Sequence, residues 1–254
     1  MSTVATQMAA WLRQQVESAD AKGIVVGLSG GVDSAVVARV SQLAVGDAVL
    51  GVIMPAHSDA QDEHDARLVA ERFKLAVVAV DLSSTYDHLT GIIHHALSSQ
   101  TGRGPVGAGS PPRLALANLK PRLRMTTLYA VANRFNYIVA GTGNRSEIEI
   151  GYYTKYGDGG VDVLPLGALV KGEVYALARE LDVPSAILEK APSAGLWLGQ
   201  TDEDEMGFTY VELELFLRDG SAAVTPAVAS KIETLVRASE HKRGMPPVFE
   251  PVRS

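Results

Sequence analysis

Residues 23–34 read Gly23-Ile-Val-Val-Gly-Leu-Ser-Gly-Gly-Val-Asp-Ser34, and the change of character along them decides the fold. Ile24, Val25 and Val26 are consecutive β-branched residues, which suit a strand buried on both faces. Serine and paired glycine then break the run. Residues 32–45 return to helical spacing and stop at Gly46, a position suited to a left-handed helix terminator. Strand, glycine loop and helix in that order open a βα unit.

On the N-terminal side, Val4, Met8, Trp11, Leu12 and Val16 recur at helical spacing and predict an amphipathic first helix. On the C-terminal side, residues 48–54 form a second apolar run. Ser58 with Gln61 three residues on reads as a capping box for a helix to about residue 73. A third strand is expected at 75–80 and a helix at 83–97. Residues 101–112, rich in Gly, Pro and Ser, read as a mobile loop, before a long helix over 113–134 and a fourth strand at 137–140. This order predicts an α/β, doubly wound, mostly parallel sheet with helices on both faces. Such sheets bind ligands beyond the carboxyl ends of their strands, so the functional loops should follow residues 28, 54, 80 and 140. From Lys171 onward the chain turns helical, with a last clear helix starting at Thr225-Pro226 and a Pro-rich tail at 246–251. A single domain over residues 1–254 is expected, with a C-terminal helical segment and tail over about 225–254.

Composition narrows the function. The 254 residues are 46% apolar and 20% charged, the balance of a globular protein rather than a disordered one. The longest apolar runs are too short to span a bilayer, and no signal-peptide pattern opens the chain, so a cytoplasmic, non-membrane protein is expected. There is no cysteine, which excludes disulfides, thiolate metal sites and cysteine nucleophiles. A net charge of −6 argues against a nucleic acid partner.

The loop itself has chemistry. Its glycines free backbone N–H groups to approach an anion at a helix N-terminus, and two hydroxyls and a carboxylate complete a polar cup. No Gly-Lys-Ser/Thr follows, so this is not a Walker loop, and charge on bound phosphates must be neutralised from elsewhere. Asp33 is a hard oxygen donor suited to Mg²⁺. Ser29-Gly-Gly-Val-Asp-Ser34 resembles the Ser-Gly-Gly-x-Asp-Ser motif of the pyrophosphatase-loop ATP enzymes, which cleave between the α and β phosphates and transfer AMP to an acceptor.

Further segments narrow that resemblance. Gly141-Thr-Gly-Asn-Arg-Ser-Glu147, Gly151-Tyr-Tyr-Thr-Lys-Tyr-Gly-Asp-Gly-Gly-Val-Asp162 and Asn118-Leu-Lys-Pro-Arg-Leu-Arg-Met125 look like the NAD synthetase family. So do Lys171, Ala191-Pro-Ser-Ala-Gly-Leu-Trp197, Gly199-Gln-Thr-Asp-Glu203 and His241-Lys-Arg243, in order over nearly the whole chain. The resemblance implies an adenine-nucleotide α-hydrolase-like fold and ammonia-dependent amidation of deamido-NAD through an adenylated carboxylate. By position it implies ATP contacts at Gly27, Leu28, Ser29, Gly30, Gly31, Val32, Asp33, Ser34, Thr142, Lys171 and Ser193. It implies Mg²⁺ ligands at Asp33 and Glu147, and deamido-NAD contacts at Arg122, Lys155, Asp162, His241 and Lys242. Asp33, Lys171 and Asp158 would be catalytic, Asp158 helping to deprotonate ammonium. The family also implies a homodimer, to which the apolar residues on more than one side of the 113–134 helix are suited. Pro121 stands where the family has alanine and predicts a kink near Arg122. With no cysteine, a built-in glutaminase is not expected, and ammonia is the expected nitrogen source.

Other residues are assigned blander roles. Asp59, Asp62, Glu63, His64 and Asp65 read as a solvated first turn and a half of a helix, where acids suit the dipole. His94 and His95 lack ligand spacing, and Trp197 is expected to pack. Residues 101–112 and 206–209 are candidate closing loops. The alternatives are another adenylating enzyme with the same loop, and a non-catalytic adenine-nucleotide binder on the same fold.

Overall fold

The computed structural model describes residues 3–98, 113–195, 197 and 199–251. Four strands, β1 (Gly23–Gly27), β2 (Val49–Ile53), β3 (Ala76–Ala79) and β4 (Tyr137–Ala140), form one sheet in the order β3-β2-β1-β4. Every pairing is parallel, with Ile24 opposite Val49 and Ile138 on either side. The α/β reading stands.

The central strand is apolar without alternation because both its faces are covered. Ile24 and Val26 join Leu12 and Val36 on one side, and Val25 joins Val52, Met54 and Val139 on the other. Ile24, Val25 and Val26 are all fully buried, worth roughly 1.5–3 kcal/mol each. The first face carries α1 (Thr3–Ser18), α2 (Val32–Val45), α3 (Ala60–Phe73) and α8 (Lys171–Glu180). The second carries α6 (Leu119–Phe135). In α1 the buried stripe is Ala5, Met8, Ala9, Leu12 and Val16, so the small alanines face the core while Val4 and Trp11 point outward. Gly46 caps α2 at φ 61°, ψ −129°, a glycine-only conformation but not the left-handed helical one expected.

Three local expectations are corrected. Asp59, not Ser58, caps α3, accepting from the Gln61 N–H at 3.0 Å, while Ser58 Oγ accepts from Arg124. The 113–134 helix is divided into α5 (Arg113–Ala117) and α6, with the break at Asn118. Pro121 explains the break: the hydrogen bond it cannot donate is the one to Ala117, the last residue of α5. Within α6 it occupies the first turn, where a missing N–H is tolerated, so the kink falls before Arg122 rather than at it. The third correction concerns the acidic cluster. Asp65 is buried, and Lys190 pairs with both Asp62 and Asp65.

The C-terminal part builds a helical layer from α7 (Arg145–Ile150), α10 (Asp202–Met206), α11 (Tyr210–Asp219), α12 (Pro226–Ala238) and α13 (Glu240–Arg243), while Ile187 of α9 (Ser185–Leu188) packs with α8 on the first face of the sheet. The apolar centre of the layer is Ile150, Met206, Phe208, Tyr210, Leu213 and Ile232. Met206 and Phe208 are thus packed down, which removes the 206–209 segment as a free closing loop. The other candidate, 101–112, lies outside the described residues. α4 (Ser83–Ser98) completes the order. No described helix is long and apolar enough to cross a membrane.

Candidate active site

The sheet order places a topological switch point between β1 and β4: the chain leaves β1 toward β2 on one side and returns to β4 on the other. Ligand crevices form at such points, outside the carboxyl ends of the strands. The loops after β1 and β4 meet there. Asn144 Nδ2 donates to Asp33 Oδ1 at 2.9 Å, joining residues 111 apart in sequence.

The loop after β1 folds on its own hydroxyls. Ser34 Oγ accepts from Ser29 N–H at 3.3 Å and donates to Gly31 O at 2.9 Å, and Gly31 N–H donates to Ser29 Oγ at 3.2 Å. Gly30 has φ 78°, and a Cβ there would lie 2.5 Å from the Asp62 carbonyl. Glycine is therefore required twice over, by conformation and by the closeness of α3. Gly27, Leu28 and Val32 lie along the same strand–loop–helix path, with Leu28 and Val32 buried.

The loop after β4 ends in a capping box. Asn144 Oδ1 accepts from Glu147 N–H at 3.1 Å while Glu147 Oε2 accepts from Asn144 N–H at 3.2 Å. This aims the other Glu147 oxygen at Lys171. Lys171 Nζ lies 2.5 Å from Asp33 Oδ2 and 3.4 Å from Glu147 Oε1, with 4% of its side chain exposed. Its backbone N–H donates to Ser146 Oγ at 3.1 Å, seating the start of α8 on α7. Three chain segments thus bring one buried cation between two carboxylates. Burial raises Glu147 to about 8, against the pull of Lys171 and with the help of Asp33. Burial would lower Lys171, but Asp33 and Glu147 outweigh it and hold the ammonium charged.

Behind the lysine, Tyr210 presents its ring 5.1 Å from Nζ and donates its hydroxyl to Asp202 Oδ2 at 2.8 Å. Thr142 lies partly buried at the β4 edge, and exposed Ser193 accepts from Gly195 N–H at 3.1 Å.

A second group gathers around the turn at 151–160. Gly151, at φ 69°, accepts close approach of Ser239, where a Cβ would have no room. Lys242 Nζ donates to the carbonyls of Gly151 at 2.6 Å and Tyr153 at 2.7 Å, and Arg243 Nη1 to that of Glu149 at 2.8 Å. Lys155 Nζ donates to the His241 carbonyl, and Arg122 Nη2 to the Lys155 carbonyl at 3.4 Å. Asp158 Oδ1 accepts from Thr154 N–H at 2.9 Å. Neighbouring atoms crowd its carboxyl and raise its pKa, opposed by that hydrogen bond and by Lys242 and Arg124; since the residue is also open to solvent, the desolvation is partial. Asp162 stands apart: its oxygens accept from Tyr129 OH at 2.9 Å and Val139 N–H at 2.8 Å, tying the chain to β4.

The sequence reading missed Asn144, Tyr210, Asp202 and Arg124. Asn144 was legible, because Asn144-Arg-Ser-Glu147 is a capping-box pattern. Arg124 donates to Met54 O at 3.1 Å and Ser58 Oγ at 3.1 Å, clamping α6 to the loop after β2, and no local signal marks it. Among the described residues no group of three or more His, Cys, Asp or Glu is placed to hold a metal ion.

The NAD synthase family model matches residues 4–246. The NH₃-dependent NAD⁺ synthetase of Carboxydothermus hydrogenoformans is 49% identical over 94% of this chain and 93% of its own. Among solved structures, the NMN synthetase of Francisella tularensis superposes with a TM-score of 0.87 at 35% identity, covering 98% of each chain. The NH₃-dependent NAD synthetase of Campylobacter jejuni, solved with nitrate ion, gives 0.78 at 26% identity, over 98% of this chain and 100% of that one. With this match along nearly its full length, and the glycine loop, Asp33, Glu147 and Lys171 gathered at one crevice, the chain belongs to the NAD synthase family.

Proposed function

We propose that the chain is a carbon–nitrogen ligase that amidates deamido-NAD with ammonia, consuming ATP and releasing AMP and pyrophosphate. The observation that carries this is the Asp33–Lys171–Glu147 cluster, held at the switch point beside the glycine loop. A carboxylate resists amidation because its oxygen leaves poorly. Its attack on the α-phosphorus of ATP expels pyrophosphate and turns that oxygen into the bridge of an acyl–phosphate mixed anhydride. Ammonia then adds to the carbonyl carbon, and AMP departs with the oxygen.

In this reading Gly27, Leu28, Ser29, Gly30, Gly31, Val32, Asp33, Ser34, Thr142 and Ser193 cradle ATP, and Lys171 counters the charge gathering on its phosphates. Asp33 and Glu147 are hard oxygen donors already aimed at one cation, the donor set Mg²⁺ takes beside substrate phosphates. Mg²⁺, when bound there, would supply further charge neutralisation. Asp158, with its raised pKa, takes the proton that ammonium must lose. Arg122, Lys155, Asp162, His241 and Lys242 form the deamido-NAD side, partly by fixing the 151–160 turn.

A second reading has a specific basis: the Francisella neighbour is an NMN synthetase, so a mononucleotide is a rival acceptor. The test is pyrophosphate release with ammonium, ATP and either deamido-NAD or nicotinate mononucleotide, repeated with glutamine as nitrogen source. Deamido-NAD is expected to give the higher kcat/KM by at least about tenfold, roughly 1.4 kcal/mol of discrimination. Ammonium should support a rate that rises with pH as free ammonia increases, and glutamine should not replace it. A preference for the mononucleotide would replace the substrate assignment, and release with no acceptor dependence would remove the ligase reading.

The same reading includes a homodimer working in the cytoplasm. Ile92, Ile93 and Leu97 of α4 and Leu114 of α5 are exposed, and Leu123, Met125, Leu128 and Val131 of α6 remain only partly covered. A second copy related by a two-fold axis would cover them. Sedimentation equilibrium should give a dimer, and a fully active monomer at assay concentration would contradict it. Recovery of the protein with the membrane fraction would contradict the location.

A further inference from the structure

Between α9 and α10 the described chain carries no helix or strand, yet Ser193 lies in this segment. Its firmest anchor is Lys190. The Lys190 ammonium donates to Asp62 Oδ1 at 2.8 Å and to Asp65 Oδ2 at 2.7 Å, both on α3. Asp65 Oδ1 is engaged by Gln61 Nε2 at 2.8 Å, so both oxygens of this carboxylate, 4% exposed, are used. This is not a surface ion pair of little worth: with Lys190 gone, Asp65 would be left buried without its counter-ion.

The same turn of α3 supports the glycine loop from below. A Cβ on Gly30 would lie 2.5 Å from Asp62 O and 2.8 Å from Asp65 Cβ. Farther along the segment, a Cβ on Gly195 would lie 3.6 Å from Asp62 Oδ2. Asp62 and Asp65 therefore touch the glycine loop through their backbone and Cβ, and the Ser193 segment through their carboxylates. Burial alone would lower the Lys190 pKa, and hydrogen bonds with Asp62 and Asp65 more than reverse this, so it remains an ammonium.

We propose that Lys190 is a positioning residue for ATP: by clamping the Ser193 segment to α3, it fixes that segment in register with the glycine loop. This rests on the reading that the glycine loop and Ser193 contact ATP. Lys190 acts through the carboxylates it holds and needs no contact with the nucleotide. The clamp joins chain segments 125 and 128 residues apart.

The test is calorimetric titration of ATP and, separately, deamido-NAD into wild type, Lys190→Met and Lys190→Arg, with hydrogen exchange followed over residues 190–195. Lys190→Met should weaken ATP by about 10- to 100-fold, the scale of a lost charge-assisted hydrogen bond expressed at the site it positions. Exchange over 190–195 should quicken, deamido-NAD affinity should stay unchanged, and Lys190→Arg should recover most of the ATP affinity. Wild-type affinity for ATP in Lys190→Met, or equal weakening toward both ligands, would overturn the proposal. If Lys190→Met does not fold, Asp62→Asn carries the test, since Asp65 still neutralises the lysine; quicker exchange with unchanged ATP affinity would overturn it. Failure of the nucleotide-site reading itself would show separately, as wild type that binds no ATP, and would take this proposal with it.

Discussion

Asp33→Asn is expected to lower turnover by about 10²–10³-fold, the range for removing one preorganised charge-stabilising group from a reaction centre. The melting temperature should fall less than in Lys171→Met, although the new amide nitrogen replaces the oxygen that accepts from Lys171. Asparagine preserves the oxygen that accepts from Asn144 Nδ2, and Lys171 keeps Glu147 as its counter-ion. Glu147→Gln should behave alike, because its amide oxygen can still complete the capping box with Asn144. Lys171→Met is a poorer probe of chemistry. It would leave two carboxylates facing each other with no cation, at a cost of about 3–5 kcal/mol in a buried pair. Turnover measured beside a melting curve separates the cases: near-normal turnover in both Asp33→Asn and Glu147→Gln would remove this cluster from the reaction.

Lys242→Ala is expected to weaken deamido-NAD by about 1–3 kcal/mol, the scale of hydrogen bonds to a charged group, and to leave ATP affinity nearly unchanged. The ground for this differs from the one the sequence offers. A run of three basic residues at a helix end has a bland explanation in the helix dipole. Here Lys242 instead donates to the carbonyls of Gly151 and Tyr153, so its ammonium fixes the turn that carries Lys155 and Asp158. Losing it would free that turn, not the glycine loop on the far side of Glu147. Paired titrations decide: equal weakening toward both ligands would mean general damage to the fold, and no weakening would leave only the dipole role.

The strand, loop and helix at 23–45 were legible because one short stretch carries a β-branched run, paired glycines and a helical return. All four strands followed from similar local contrasts, and the parallel order from their spacing by helices. What sequence could not show is what depends on distant partners. Asp65 looked solvated because its neighbours are acidic, yet its ion-pair partner lies 125 residues away. A signal was nevertheless present: Asp65 falls four residues before Val69 and eight before Phe73, on the buried stripe of α3. Asp162 is engaged within the chain, its oxygens accepting from Tyr129 OH and Val139 N–H, contacts that no local signal marks. Pro121 announced a break, but its position needed one further step, that the missing donor releases the carbonyl four residues earlier.

The Asp33–Glu147–Lys171 centre was named residue by residue from resemblance, while its geometry was not readable. Nothing local says that Lys171 lies between the two carboxylates, or that Asn144 ties the two loops together. Those contacts arise from sheet order, which puts β4 beside β1 although five described helices and two strands separate them in the chain.

The most direct measurement follows oxygen. Deamido-NAD labelled with ¹⁸O in its carboxylate, incubated with ATP, Mg²⁺ and ammonium, should transfer one labelled oxygen to the phosphate of AMP for each NAD formed. Pyrophosphate should carry none. Amide formed with no label in AMP would contradict an adenylated carboxylate at this site.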